Sequence, residues 1–172
     1  MKNILIITNF AEKNELISAT ANRCDRYTVI ALPKDSVLAT AQLAIELHSN
    51  LIHGDFYDYV VLIDSAQGGY TCKLGDFAVP RCIVADDRTY DIPNTLRMSQ
   101  SVYPITADLN ELRNEQGNVL LMRNVVEIAK LCDNYEYDLH VIARIDELPQ
   151  YHEKSESHKS LTCAIDYLES LN

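Results

Sequence analysis

The sequence predicts an α/β fold: a single domain spanning residues 1–172, built on an open, mostly parallel sheet of about five to six strands with helices on both faces. Three observations lead there. Short β-branched apolar runs alternate with longer segments of three- and four-residue apolar spacing along the whole chain. The run YDYVVLID at 57–64 is apolar on both of its faces, as suits a parallel strand covered from either side. A chain of 172 residues with 47% hydrophobic content is also long enough to bury one sizeable core.

The elements follow in order. Residues 2–8 read as a buried first strand. Asn9 then caps a helix whose first turn holds Glu12 and Glu15, favourably placed against the helix dipole, with Leu16, Ile17, Thr20, Ala21 and Cys24 on one face. Residues 26–32 form a second strand, stopped by Pro33. Asp35 or Ser36 opens a long helix to about His53, ended by Gly54, whose expected inner stripe is Val37, Leu38, Ala41, Ile45, His48 and Ile52. The third strand is 57–64, and PRCIVA at 80–85 makes a fourth. Residues 101–105 give a short fifth. Asn118 is placed to cap a helix carrying Leu121, Val125, Ile128 and Cys132. Residues 137–145 form a sixth strand. A polar link at 150–157 leads to a last helix, about 156–171, with Leu161, Ala164, Ile165, Leu168 and Leu171 at helical spacing.

The charge balance excludes some functions. Fifteen Lys and Arg against 25 Asp and Glu leave a net charge of −10, which repels nucleic-acid phosphates and anionic lipid headgroups. No apolar stretch approaches the roughly 20 residues of a membrane span. The five cysteines, Cys24, Cys72, Cys82, Cys132 and Cys163, are odd in number and widely spaced, without a CxxC pair. A cytoplasmic protein is expected.

In an open parallel sheet, ligands bind beyond the carboxyl ends of the strands, where the strand order reverses. The residues expected there are Thr8, Asn9 and Phe10 after the first strand, and Asp64, Ser65, Gln67, Gly68 and Gly69 after the third. Asp86, Asp87 and Arg88 follow the fourth strand, Thr106 and Asp108 the fifth, and Arg144 and Asp146 the sixth. Thr8, Asn9, Ser65, Gln67, Gly68, Gly69, Arg88 and Arg144 are the candidate ligand-binding set. Adjacent glycines would let a phosphate or other ligand approach the backbone, although neither GxxxxGK[ST] nor GxGxxG occurs. Asp64, Asp86 and Asp87 are the candidate catalytic carboxylates and would also suit a Mg²⁺ ion. No zinc spacing, HExxH or GxSxG pattern is present. At the opposite edge of the sheet, Tyr57, Tyr59, Tyr135 and Tyr137 lie among acidic residues and would form an aromatic partner-binding patch.

The layout over about residues 2–112 resembles flavodoxin-like, Rossmann-like three-layer sandwiches and response-regulator receiver domains. YDYVVLID is similar to the receiver strand that ends in the phosphoacceptor Asp, and VPRCIVADD to the strand after it. Receivers carry an acidic pair where this chain has Thr8-Asn9-Phe10, and a Lys where it has Thr106-Ala107. The same pattern resembles the N-terminal half of two-lobed glycosyltransferases. Charge, tyrosine-rich edges and absent catalytic motifs together favour a non-catalytic acidic module that binds a protein partner or a small effector. The alternative is a small enzyme acting on a nucleotide, sugar or other phosphorylated metabolite at the strand carboxyl ends. Neither reading sets an oligomeric state.

Overall fold

The computed structural model describes residues 1–68, 72–86, 88–93, 103–107, 119–148, 153–154 and 160–170. Four parallel strands form the heart of the sheet: β1 (Asn3–Thr8), β2 (Arg26–Ala31), β3 (Tyr59–Gln67) and β9 (Leu139–Leu148), lying side by side as β2-β1-β3-β9. The chain runs from β1 outward to β2, then crosses back to β3 on the other side of β1. The order therefore reverses at β1 and β3.

Shorter strands extend the sheet. These are β4 (Phe77–Ala78), β5 (Cys82–Val84), β6 (Thr89–Asp91), β7 (Pro104–Thr106), β8 (Leu120–Leu121) and β10 (Glu153–Lys154). The nine-residue β3 serves two neighbours in succession: its first half pairs with β1, and Gln67 at its far end pairs with Leu121 of β8. From β8 the sheet continues through β7 and β5 to β6. Both β4 and β10 pair with β9 antiparallel. The architecture is the mixed but mainly parallel sheet expected, with more and shorter strands toward its edges.

Alternation along β1 divides the core. Leu5 and Ile7 face the layer of α2 (Ser36–His53) and α3 (Val125–Asn134), against Leu43, Leu47, Val125 and Ile128. Ile4 and Ile6 face α1 (Lys13–Thr20) and α4 (Leu161–Ser170), against Leu16, Leu161, Ile165 and Leu168. Helices thus cover both faces.

The ends of α2 follow their local chemistry. The Asp35 carboxylate accepts from the Leu38 N–H at 3.0 Å, and Gly54 stops the helix in the left-handed region at φ 68°. Its inner face, however, is Ala39, Leu43 and Leu47, while the stripe expected inside faces solvent. Both stripes are apolar, so periodicity alone does not choose between them; Leu43 and Leu47 lie opposite the sheet. Similarly, Ile17, Ala21 and Cys24 lie outward from α1.

The segment before α3 also departs from expectation. Leu121 belongs to β8, and the helix starts only at Val125. Asn124 precedes it at φ 64°, a conformation that breaks any helix running through from earlier residues. Asn118 and Leu171 lie outside the described residues. β9 runs three residues past its expected end, and part of the expected polar link pairs with it as β10. His140 is a buried structural residue with its ring edge-on to Tyr59 at 5.4 Å, and burial lowers its pKa.

Candidate functional site

A cavity of about 940 Å³ opens at the carboxyl ends of β1, β3 and β9, where the strand order reverses. Its walls come from the β1–α1 loop (Thr8 to Glu12), the β2–α2 loop (Pro33, Lys34, Ser36), the end of β3 (Asp64 to Gln67), the β8–α3 turn (Met122 to Asn124) and the end of β9 (Asp146, Glu147). The volume lies in the range of small-molecule sites.

Glu12 is the buried charge of this cavity. Asn9 positions it: the Asn9 side-chain oxygen accepts from the Glu12 N–H at 2.9 Å, and its amide donates to the Asp64 carboxylate. One Glu12 oxygen accepts from the Ser65 hydroxyl at 3.1 Å and lies 3.5 Å from the Arg144 guanidinium. The other oxygen, Oε2, is buried without a hydrogen-bond partner, as is the hydroxyl of Thr8, another residue of the cavity wall. Buried polar atoms are nearly always paired, so these two are exceptions within the wall of one cavity. Burial raises the Glu12 pKa above that of an ordinary carboxylate; Arg144 opposes that rise and Asp64 adds to it.

Arg144 is itself buried on β9, next to Ser65 in the sheet register. Its second nitrogen lies 3.7 Å from Glu15, which in turn accepts from the Leu161 N–H at the start of α4 at 3.1 Å. The guanidinium thus fixes Glu12 against the sheet rather than reaching into the cavity.

A second acidic pair sits across β3 and β9. Ala66 faces Ile145, but Gln67 faces Glu147, so Asp146 is the extra residue of a β-bulge. Such bulges re-aim a side chain, and Asp146 lines the cavity with Asp64. Burial raises the Asp64 pKa, against the bonds from Asn9 and the Ser65 N–H, and the neighbouring Asp146 charge raises it further.

The sequence-derived set is thus partly assembled. Thr8, Asn9, Asp64, Ser65, Gln67 and Asp146 meet at the cavity, with Arg144 behind Glu12. Gly68 plays a different part from the one expected. Its N–H donates to the Glu147 carbonyl at 2.8 Å, and an added Cβ would lie 2.8 Å from that of Cys72 and 2.9 Å from Ile145. Close packing, not a phosphate, requires glycine there. Asp86 and Arg88 lie away from the cavity: Asp86 is 3.6 Å from Lys130, while Arg88 pairs with Asp133 at 3.2 Å and stacks on Tyr90. Asp86 therefore does not join Asp64 around a Mg²⁺ ion, and no metal-binding cluster of three His, Cys, Asp or Glu occurs among the described residues. Gly69, Asp87 and Asp108 lie outside the described residues.

Glu12 was read from the sequence only as a helix-dipole residue. The available signal was its place four residues past a buried strand; Asn9 does not cap α1 as expected, since the helix starts at Lys13 and Glu12 stands just before it. Lys34, Arg123 and Asn124, on loops, and Glu127, in the first turn of α3, had no such signal, because only the crossover connections bring them to the cavity.

No protein-family model matches the sequence, and no curated protein does. Solved structures do match the fold. A futalosine hydrolase mutant of Helicobacter pylori superposes with a TM-score of 0.68 at 11% identity, over 99% of this chain and 98% of that one. A mutant of the Helicobacter pylori 5'-methylthioadenosine nucleosidase, with 5'-methylthioadenosine in its active site, gives 0.68 at 12% identity over the same shares. The apo 5'-methylthioadenosine nucleosidase of Arabidopsis thaliana gives 0.65 at 11% identity, over 99% of this chain and 88% of that one. The protein has the three-layer α/β fold of these nucleosidases.

These likenesses correct the non-catalytic module expected from composition. The solved structures above, which share the fold, are those of a futalosine hydrolase and of 5'-methylthioadenosine nucleosidases, and an acidic cavity lies at the strand carboxyl ends. The tyrosine edge, expected to capture another protein, is used within the chain. The Tyr57 hydroxyl donates to Glu46 at 2.6 Å, and the Tyr137 hydroxyl accepts from the Tyr57 N–H at 3.2 Å. Tyr59 accepts from the Lys2 ammonium at 3.2 Å, and the Tyr135 hydroxyl lies 3.3 Å from His48 Nδ1. Among the described residues no helix is long and apolar enough to cross a membrane.

Proposed function

We propose that the protein hydrolyses purine nucleosides, breaking the bond between the base and C1' of the ribose. The observation that carries this reading is the Glu12 carboxylate, buried at the cavity with one oxygen unpartnered. In a nucleoside complex that oxygen accepts a proton from water as the water oxygen bonds to C1'. The departing base needs a proton at nitrogen. Asp64, whose pKa burial raises and the Asp146 charge raises further, is the acid in this reading. This division of labour is that of glycoside hydrolysis, where one carboxyl group acts as acid and the other activates water around a positively charged sugar.

The cavity's charge selects the nucleophile. Five carboxylates line it, from Glu12, Asp64, Glu127, Asp146 and Glu147, against the basic side chains of Lys34 and Arg123. That balance favours a cationic ribosyl transition state and repels inorganic phosphate, so water rather than phosphate attacks. The relatives in fold named for 5'-methylthioadenosine and futalosine support a nucleoside as substrate. None of the five cysteines, all among the described residues, forms a disulfide, which agrees with a cytoplasmic setting.

The test is release of free base from 5'-methylthioadenosine, adenosine and inosine, followed chromatographically with and without phosphate. Base appears without phosphate, and Glu12→Gln lowers the rate about 10²–10⁴-fold while circular dichroism stays unchanged. Release that depends on phosphate, or full activity in Glu12→Gln, overturns the reading.

A further inference from the structure

We infer that Glu15 is a positioning residue of this site: its carboxylate seats the start of α4, braces the far side of the Arg144 guanidinium, and through Arg144 fixes Glu12. The inference deepens the reading of Glu12 as the group that activates water, and rests on it.

The three side chains form one run of contacts. Glu12 stands just before α1 and Glu15 lies in its first turn, so their three-residue spacing puts both on one side of the helix. Arg144 lies between them. Its Nη1 is 3.5 Å from Glu12 Oε1 and its Nη2 is 3.7 Å from Glu15 Oε2, while the guanidinium carbon lies 5.9 Å from the centre of the Phe77 ring. Glu15 Oε1 accepts from the Leu161 N–H at 3.1 Å, and a helix supplies no acceptor of its own to its first N–H. Leu161, Ile165 and Leu168 are buried in turn against Ile4, Ile6 and Leu16. The Glu15 side chain is 47% exposed, so the bond from Leu161 rather than burial fixes where its charge sits.

This arrangement gives one cation to two carboxylates. Arg144 alone against Glu12 would favour the anion and make it a weaker base. Glu15 draws on the same guanidinium and adds a second negative charge nearby. Around Glu12, burial, Asp64 of β3 and Glu15 of α1 favour the protonated form, while Arg144 of β9 and the Ser65 hydroxyl favour the charged one. On α4 the acids Asp166 and Glu169 are taken by Arg23. Glu15 stands behind Arg144, outside the cavity wall, and keeps Glu12 basic without touching substrate.

Glu15→Gln tests this, because it keeps an acceptor for Leu161 and removes the charge. The Glu12 carboxyl carbon, isotopically labelled and assigned by its loss in Glu12→Gln, titrates by nuclear magnetic resonance at lower pH in Glu15→Gln than in the wild-type chain, with no substrate present. In base-release assays the acidic limb of the kcat profile moves the same way. Its plateau falls about three- to tenfold at constant KM, since a more acidic carboxylate is a weaker base. Asp166→Asn, which removes another exposed negative charge, leaves the Glu12 titration in place. Glu15→Ala shifts the titration as Glu15→Gln does and also has a lower thermal midpoint, because Leu161 loses its acceptor. A Glu12 titration that Glu15→Gln does not move, or that Asp166→Asn moves equally, overturns the inference. Absence of base release from the wild-type chain defeats the proposed reaction instead, and the carboxyl titration still decides the part played by Glu15.

Discussion

The two ends of the central strands treat polar groups in opposite ways. At the amino ends, acids are matched with donors: Glu46 takes the Tyr57 hydroxyl, Asp58 the Asn3 N–H at 2.7 Å, and Asp25 the Lys2 N–H at 3.0 Å. At the carboxyl ends, Glu12, Asp64 and Asp146 gather with raised pKa values for the first two and an unpartnered Glu12 oxygen. Asn3 Oδ1 is also unpartnered at the amino end, but it is neutral and its amide makes two bonds. One end therefore pairs its acids with donors, and the other keeps buried acids with raised pKa values and one unpartnered oxygen.

Substitutions at the two ends sharpen this contrast. The largest effect is expected for Arg144→Met, which leaves Glu12 buried beside Asp64 without its cation. Removing one partner of a buried pair costs about 3–5 kcal/mol. For a chain of this size that lowers the thermal midpoint by roughly 10 °C by calorimetry. An unchanged midpoint would mean that Arg144 does not hold the site together.

A smaller effect, of opposite sign, is expected for Asp64→Asn. Because the folded-state pKa of Asp64 lies above its unfolded value, the native state holds more protons between those two values. The Asp64 contribution to stability therefore grows as pH falls through the folded pKa and is lost as pH rises through it. Asp64→Asn removes the buried charge and is more stable than wild type at neutral pH, and that advantage fades toward the ordinary carboxylate range. Thermal midpoints of both proteins across mildly acidic buffers measure this, and parallel curves would contradict it.

The smallest effect belongs to the amino end. Tyr57→Phe loses the bond to Glu46 and about 1.5 kcal/mol by denaturant titration, while nucleoside cleavage is unchanged. A loss of cleavage there would break the division between the two ends.

The α/β layering was legible because β1 and the first halves of β3 and β9 are largely apolar, and because Asp35 or Ser36 and Gly54 bracket α2. The carboxyl-end rule likewise brought Thr8, Asn9, Asp64, Ser65 and Asp146 to one place. Three features were beyond that reading. The sequence gives α2 two apolar stripes, and only tertiary packing selects Leu43 and Leu47. Asn124 adopts positive φ, which local sequence does not require of an Asn. Asp86 and Arg88 follow their strand as expected, but neighbouring Lys130 and Asp133 on α3 engage them outside the cavity.

The position of β9 bears on how the protein is made. It is synthesised late, yet it pairs along nearly the full length of β3, which is made far earlier. A nascent chain that has emerged only as far as α2 and β3 therefore presents a long, apolar strand edge with no neighbour on that side. Because β9 also brings Arg144, buried Glu12 acquires its counter-charge in the same event that closes this edge. Premature termination before β9 would yield an aggregation-prone fragment rather than a folded domain lacking one strand.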